Sequence, residues 1–147
     1  MVPVQLCCDL ATAITKLIDR SVDEKVKTTA YLTLEVLYAS RRLIANGDHI
    51  EGVIRHLLEN PELPDAVDSN VQNQDQNQRI VAYIQAVGQA MLNFCSVPTT
   101  GQDATAKSIL RYLTFTLSVL SEYLVCESER IQRSAFSGIR LIIQHGL

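Results

Sequence analysis

Three histidines, four cysteines and six glycines are the side chains and backbone positions from which chemistry would first be sought in this sequence of 147 residues. His49 and His56 stand two helical turns apart and can share a face, but no carboxylate or thiol joins them at ligand spacing. They read as solvated or structural histidines. His145 falls near the end of the last helix, where its cation would complement the helix dipole. The cysteines occur as the pair Cys7-Cys8 and the singles Cys95 and Cys126, without C-x-x-C spacing and inside apolar stretches, so they read as buried, reduced thiols. The glycines form neither G-x-G-x-x-G nor G-x-x-x-x-G-K, which leaves no sequence signature of a nucleotide site. Asp23, Glu24, Glu127 and Glu129 lie at turns and helix starts, where capping and the dipole account for them. The expectation is a chain that is not an enzyme and carries no metal or cofactor.

The basic residues point to recognition. Lys25 and Lys27 occupy the first turn of one helix, and Arg130 and Arg133 the first turn of another, with Arg140 two turns further on. Lys27, Arg130, Arg133 and Arg140 are therefore the candidate partner-binding residues, on the ground that helical repeats present corresponding positions as a ridge. A solvated face balanced by neighbouring acids is the simpler reading of each of them taken singly. Lys107 and Arg111 make a second basic step. The formal charge is −3, and the excess of acid sits in residues 59–102, where five acids face Arg79 alone. No dense basic stripe marks a stand-alone nucleic-acid binder, so direct RNA contact is neither implied nor excluded.

These residues must be positioned by helices. Hydrophobic residues make up 47% of the chain but aromatic ones only 5%, and tryptophan is absent, a palette suited to helix–helix interfaces. The 3.6 period gives six helices. The first, about 4–19, has Leu6, Leu10, Ile14, Leu17 and Ile18 on its apolar face. Ser21 with Glu24 forms a capping box for the second, which runs to about Ala45 with Gly47 as its C-cap. Asp48 and Glu51 start the third, with Ile50, Val53, Ile54, Leu57 and Leu58 as its stripe, and Asn60-Pro61 ends it. Residues 62–77, rich in Asn, Gln and Asp, are expected to form a flexible polar loop. The fourth helix covers about 77–95. The fifth, about 103–125, presents Ile109, Leu110, Leu113, Leu117, Leu120 and Leu124. The last carries Ile131, Ala135, Ile139 and Ile142. An internal repeat at an offset of 105 aligns Val26, Ala30, Tyr31, Leu34 and Leu37 with Ile131, Ala135, Phe136, Ile139 and Ile142, while the fourth helix, expected as the middle copy, aligns poorly, with either Ala82 or Ala86 matching Ala30 at an offset of 52 or 56.

The stretch Thr28-Thr29-Ala30-Tyr31-Leu32-Thr33-Leu34-Glu35-Val36-Leu37-Tyr38-Ala39-Ser40-Arg41 resembles HEAT repeats of the eukaryotic ribosomal RNA processing protein 12-like family. The resemblance continues through Ile84 to Phe94, and through Arg111-Tyr112-Leu113 into Ser134-Ala135 to Ile142. It implies a nucleolar and nuclear scaffold associated with small-subunit ribosome precursors and their export, with no catalytic residues. The acidic segment 59–78 departs from an RNA-binding pattern and puts direct RNA contact by this segment in doubt.

The expected fold is all-α, an α-solenoid of HEAT/armadillo-like repeats with six helices in three antiparallel pairs. Residues 1–147 would form a single helical-repeat domain or, because polar capping repeats are missing, a fragment of a longer solenoid. The expected function is a scaffold for a protein or ribonucleoprotein partner. The same helices would also serve an importin-type transport receptor, another helical adaptor, or a helical-bundle enzyme or regulatory domain. No signal peptide or membrane-spanning stretch is read, so an intracellular location is expected.

Overall fold

The computed structural model describes residues 4–21, 23–40, 47–62, 74–98, 104–126 and 128–146. These form α1 (Val4–Arg20), α2 (Glu24–Ala39), α3 (Gly47–Glu59), α4 (Gln74–Cys95), α5 (Ala104–Glu122), a 3-10 turn (Tyr123–Val125) and α6 (Glu129–Gly146). Among the described residues there is no strand, and no helix is long and apolar enough to cross a membrane.

Local chemistry sets the helix ends. The N-cap of α2 is Asp23, whose Oδ1 accepts from the backbone N–H of Lys25 at 2.8 Å and of Val26 at 3.2 Å. Ser21, the expected cap, instead accepts from the Asp23 N–H at 3.2 Å. Helix α2 is described as far as Ala39, where the Ser40 N–H closes on the Val36 carbonyl, and the expected continuation to Ala45 lies outside the described residues. Gly47 opens α3 and does not cap α2; a Cβ there would lie 3.1 Å from Val97 Cγ1, so close packing explains the glycine. The polar loop is also shorter than expected. Gln74 to Asn77 already belong to α4, Glu62 is packed into the protein, and residues 63–73 lie outside the described residues.

The helices stack in two rows. Helix α4 packs along α2 on one side and α6 on the other, while α3 touches α1 and α5 in the second row. The pairs α1–α2, α3–α4 and α5–α6 join the rows, and among the described residues α2 does not reach α6, nor α1 reach α5. Helix α4 is therefore enclosed on nearly all sides, with Ile80 through Ile84, Ala86, Val87, Ala90, Met91 and Phe94 buried. A single apolar stripe could not have announced this.

Burial can be compared with the expected repeat. The offset of 105 pairs buried Ala30 with buried Ala135, but it also pairs buried Tyr31 with Phe136, which is 64% exposed, and exposed Val26 with buried Ile131. A step of 52 has successes and failures of the same kind, since it sets buried Ile84 against exposed Phe136 and buried Met91 against exposed Ile143. It aligns Tyr31, Tyr83 and Ala135, then Leu34, Ala86 and Gly138, then Tyr38, Ala90 and Ile142. All of these are buried except Gly138, whose Cβ would sit in ordinary contact with Leu120 and Ile84.

Two faces are rotated from expectation. Helix α1 buries Cys7, Cys8, Ala11, Ile14 and Ile18 and leaves Leu6, Leu10 and Leu17 about half exposed, because small residues let α2 approach closely. In α5, Tyr112, Leu113, Thr116, Val119 and Leu120 face inward and Leu110 outward.

Candidate functional site

Two concavities of about 320 Å³ each open on the molecule. The first lies between α1, α2 and the end of α3 and is organised by Glu62. Its Oε1 accepts from the Tyr31 hydroxyl at 2.7 Å and faces Lys27 Nζ at 3.8 Å, while its Oε2 is 3.1 Å from Arg79 Nε. Arg79 also reaches Glu24 at 2.9 Å, and the Glu62 backbone carbonyl accepts from the Tyr123 hydroxyl at 2.6 Å. One residue thus ties α2, α4 and the 3-10 turn together. The tie continues as a row of rings: Tyr31 meets Tyr83 edge-on at 5.4 Å, Tyr83 lies 6.4 Å from Tyr123, and the Tyr83 hydroxyl donates to the Leu57 carbonyl at 2.5 Å.

The chemistry of this hollow is that of a lock. Burial, and then the Glu62 carboxylate, push the Tyr31 hydroxyl far above the usual phenol range, so it stays a donor and cannot serve as a base. The other polar lining groups are engaged as well. His56 Nε2 pairs with Asp19 Oδ1 at 2.8 Å, the Thr15 hydroxyl donates to the Ala11 carbonyl, and the Asn60 amide to the His56 carbonyl. His49 and His56 do not form a joint site. His56 ties α3 to α1 through Asp19, and burial lowers the pKa of His49, with Asp9 opposing that shift. Among the described residues no cluster of His, Cys, Asp or Glu could hold a metal ion.

The other concavity is a groove along the α2–α4–α6 row. Its floor is a strip of α4, with Val81, Ile84, Gly88, Gln89 and the exposed Gln85, and its walls are Glu35 of α2 and Arg133, Ser134, Ser137 and Leu141 of α6. Glu35 Oε2 is shielded from solvent and has no hydrogen-bond partner among the described residues, and burial raises the carboxyl above its usual range. On the facing wall, Arg133 is held by Glu129 at 2.6 Å.

The four basic candidates do not gather. Lys27 is partly buried against Glu62 at the first hollow, on a helix that does not touch α6. Arg130, Arg133 and Arg140 are exposed on α6, and only Arg133 lines the groove. Lys27 is accordingly a structural partner of Glu62. Arg111 stays exposed, 3.9 Å from Glu51 and over the Tyr112 ring at 4.9 Å. Neither Glu62 nor Glu35 stands out in the sequence. Glu62 opens a polar stretch, although Arg79, alone among five acids, signals an acidic partner. Glu35 has the sequence surroundings of an ordinary solvated residue of α2. No family model, curated protein or solved structure matches the chain.

Proposed function

We propose that this chain is a non-catalytic scaffold of HEAT-like helical repeats that holds a protein or ribonucleoprotein partner along the α2–α4–α6 row. The observation that carries this reading is the recessed groove over α4, flanked by α2 and α6 packed on its two sides. Stacked repeats use such a face because each unit buries its flanks against its neighbours and leaves a continuous inner surface for a partner. The engaged polar groups of the Glu62 hollow favour a structural role there over turnover. Assembly with ribosome precursors is the setting the sequence resemblance suggests, and it rests on that resemblance alone.

Arg133 supplies charge at the rim of this face, and exposed Arg140 lies two turns further along α6. Reversing Arg133 and Arg140 to Glu is expected to leave the melting temperature nearly unchanged, because both side chains are exposed. Recovery of ribosome precursors by the doubly reversed protein should fall, and more so at low salt, since rim charges act through screened attraction. Equal recovery by wild-type and variant at low salt would refute the rim.

A further inference from the structure

We propose that the groove over α4 seats an extended polypeptide segment of the partner, with a lysine or arginine side chain held by Glu35. The inference deepens the scaffold reading and rests on it. Its first support is the orphaned oxygen of Glu35: a shielded carboxylate oxygen without a donor is unfavourable, and a cationic side chain supplies both the donor and the charge. Glu35 differs in this from Arg133, the other ionic group lining the groove: Arg133 is exposed at the rim, 2.6 Å from Glu129, whereas the Glu35 oxygen is shielded from solvent and unpaired.

Gly88 gives an independent indication. It lies inside α4, where glycine costs about 1 kcal/mol relative to alanine, yet a Cβ at this position would meet nothing within 4 Å. Packing within the chain does not call for glycine here. At the floor of the groove its missing side chain leaves room for another backbone to approach. Gln85 and Gln89 offer amides on the same strip, able to pair with that backbone, and Ile84 and Leu141 give apolar contact beside them. The shielded Glu35 carboxylate would repel a phosphate seated beside it, and the partly apolar floor offers no cation inside the groove, which sets a polypeptide above RNA as the occupant.

The test is selection of random displayed peptides on the whole chain, followed by fluorescence anisotropy of the winning peptides. We expect winners with a lysine or arginine at a fixed register, an affinity that weakens about tenfold or more in Glu35→Gln, and loss of binding in Gly88→Leu. Gln85→Trp, at an exposed position, blocks the same strip should Gly88→Leu misfold, and circular dichroism of both variants checks the fold. Winners without a cation, or affinities indifferent to Glu35→Gln but lost in the blocked variants, would overturn the cation seat while leaving the groove as the partner face. Failure to select any peptide, peptides that bind regardless of every substitution, or displacement of the winners by a single-stranded RNA oligonucleotide would overturn the polypeptide assignment itself.

Discussion

Replacing Glu62 with alanine removes the residue that joins α2, α4 and the 3-10 turn. Tyr31 is 1% exposed, so its hydroxyl would lose its acceptor inside the protein, a penalty of about 1–3 kcal/mol for a buried unsatisfied donor. Arg79 would lose its 3.1 Å contact but keep Glu24 at 2.9 Å, so the cost stays below the roughly 3–5 kcal/mol of a stranded buried charge. The Lys27 contact, longer and more open, adds little. The main-chain carbonyl that accepts from Tyr123 survives the substitution. Together these terms give a loss of about 2–4 kcal/mol, or about 6–12 °C in melting temperature for a domain of this size. Glu62→Gln keeps an acceptor for Tyr31 and should cost about half as much. Urea denaturation of Glu62→Gln, Tyr31→Phe and the double variant, with an unchanged m-value, would give the coupling directly. A loss under about 0.5 kcal/mol in Glu62→Ala, the size of an ordinary surface change, would refute the lock and return Glu62 to a solvated loop.

Ala30→Leu should overpack a position that is 4% exposed and cost about 1–3 kcal/mol, read as a lower denaturation midpoint. Gly88→Ala and Gly52→Ala, at helical positions where a Cβ meets nothing, should each stabilise by about 0.5–1 kcal/mol; of the two, only Gly88 lines the groove. Tyr31, Tyr38, Tyr83 and Tyr123 are all pushed above the phenol range, chiefly by burial. A raised folded-state pKa contributes stability that is present below the unfolded value, about 10, and is lost as pH climbs above it. Tyrosinate absorbance from these four should therefore rise as one cooperative step together with alkaline unfolding; a smooth titration near pH 10 in the folded protein would contradict their burial.

The six helices are legible from periodicity because each has apolar residues at helical spacing, and α3 buries the five residues its stripe predicts. Faces are misread where a helix is apolar on more than one side. On α1, leucines at four-residue spacing resemble a core stripe, yet Cys7, Cys8 and Ala11 pack inward, since contact between helices rewards small residues that the moment of a sequence undervalues. The register of the repeat shows the same limit. Ala30 and Ala135 share small size and burial, but their neighbours Tyr31 and Phe136 differ, one buried and the other exposed, which becomes visible only once the helices are packed. At the candidate site, Arg133 is identifiable from sequence and Glu35 is not. Whether a carboxylate is solvated or stranded depends on the neighbouring helices, which no local spacing encodes.

The central claim, that the α2–α4–α6 row is the partner face, is tested most directly by site-specific photocrosslinking. A photoreactive residue is placed at Gln85 in the groove and, separately, at Ser118, exposed on α5 in the other row, and the crosslinked species are identified by mass spectrometry. The account predicts one defined partner crosslinked from Gln85, through a peptide bearing a lysine or arginine near the attachment point, and none from Ser118. A partner captured from Ser118 while Gln85 stays unreacted would contradict it.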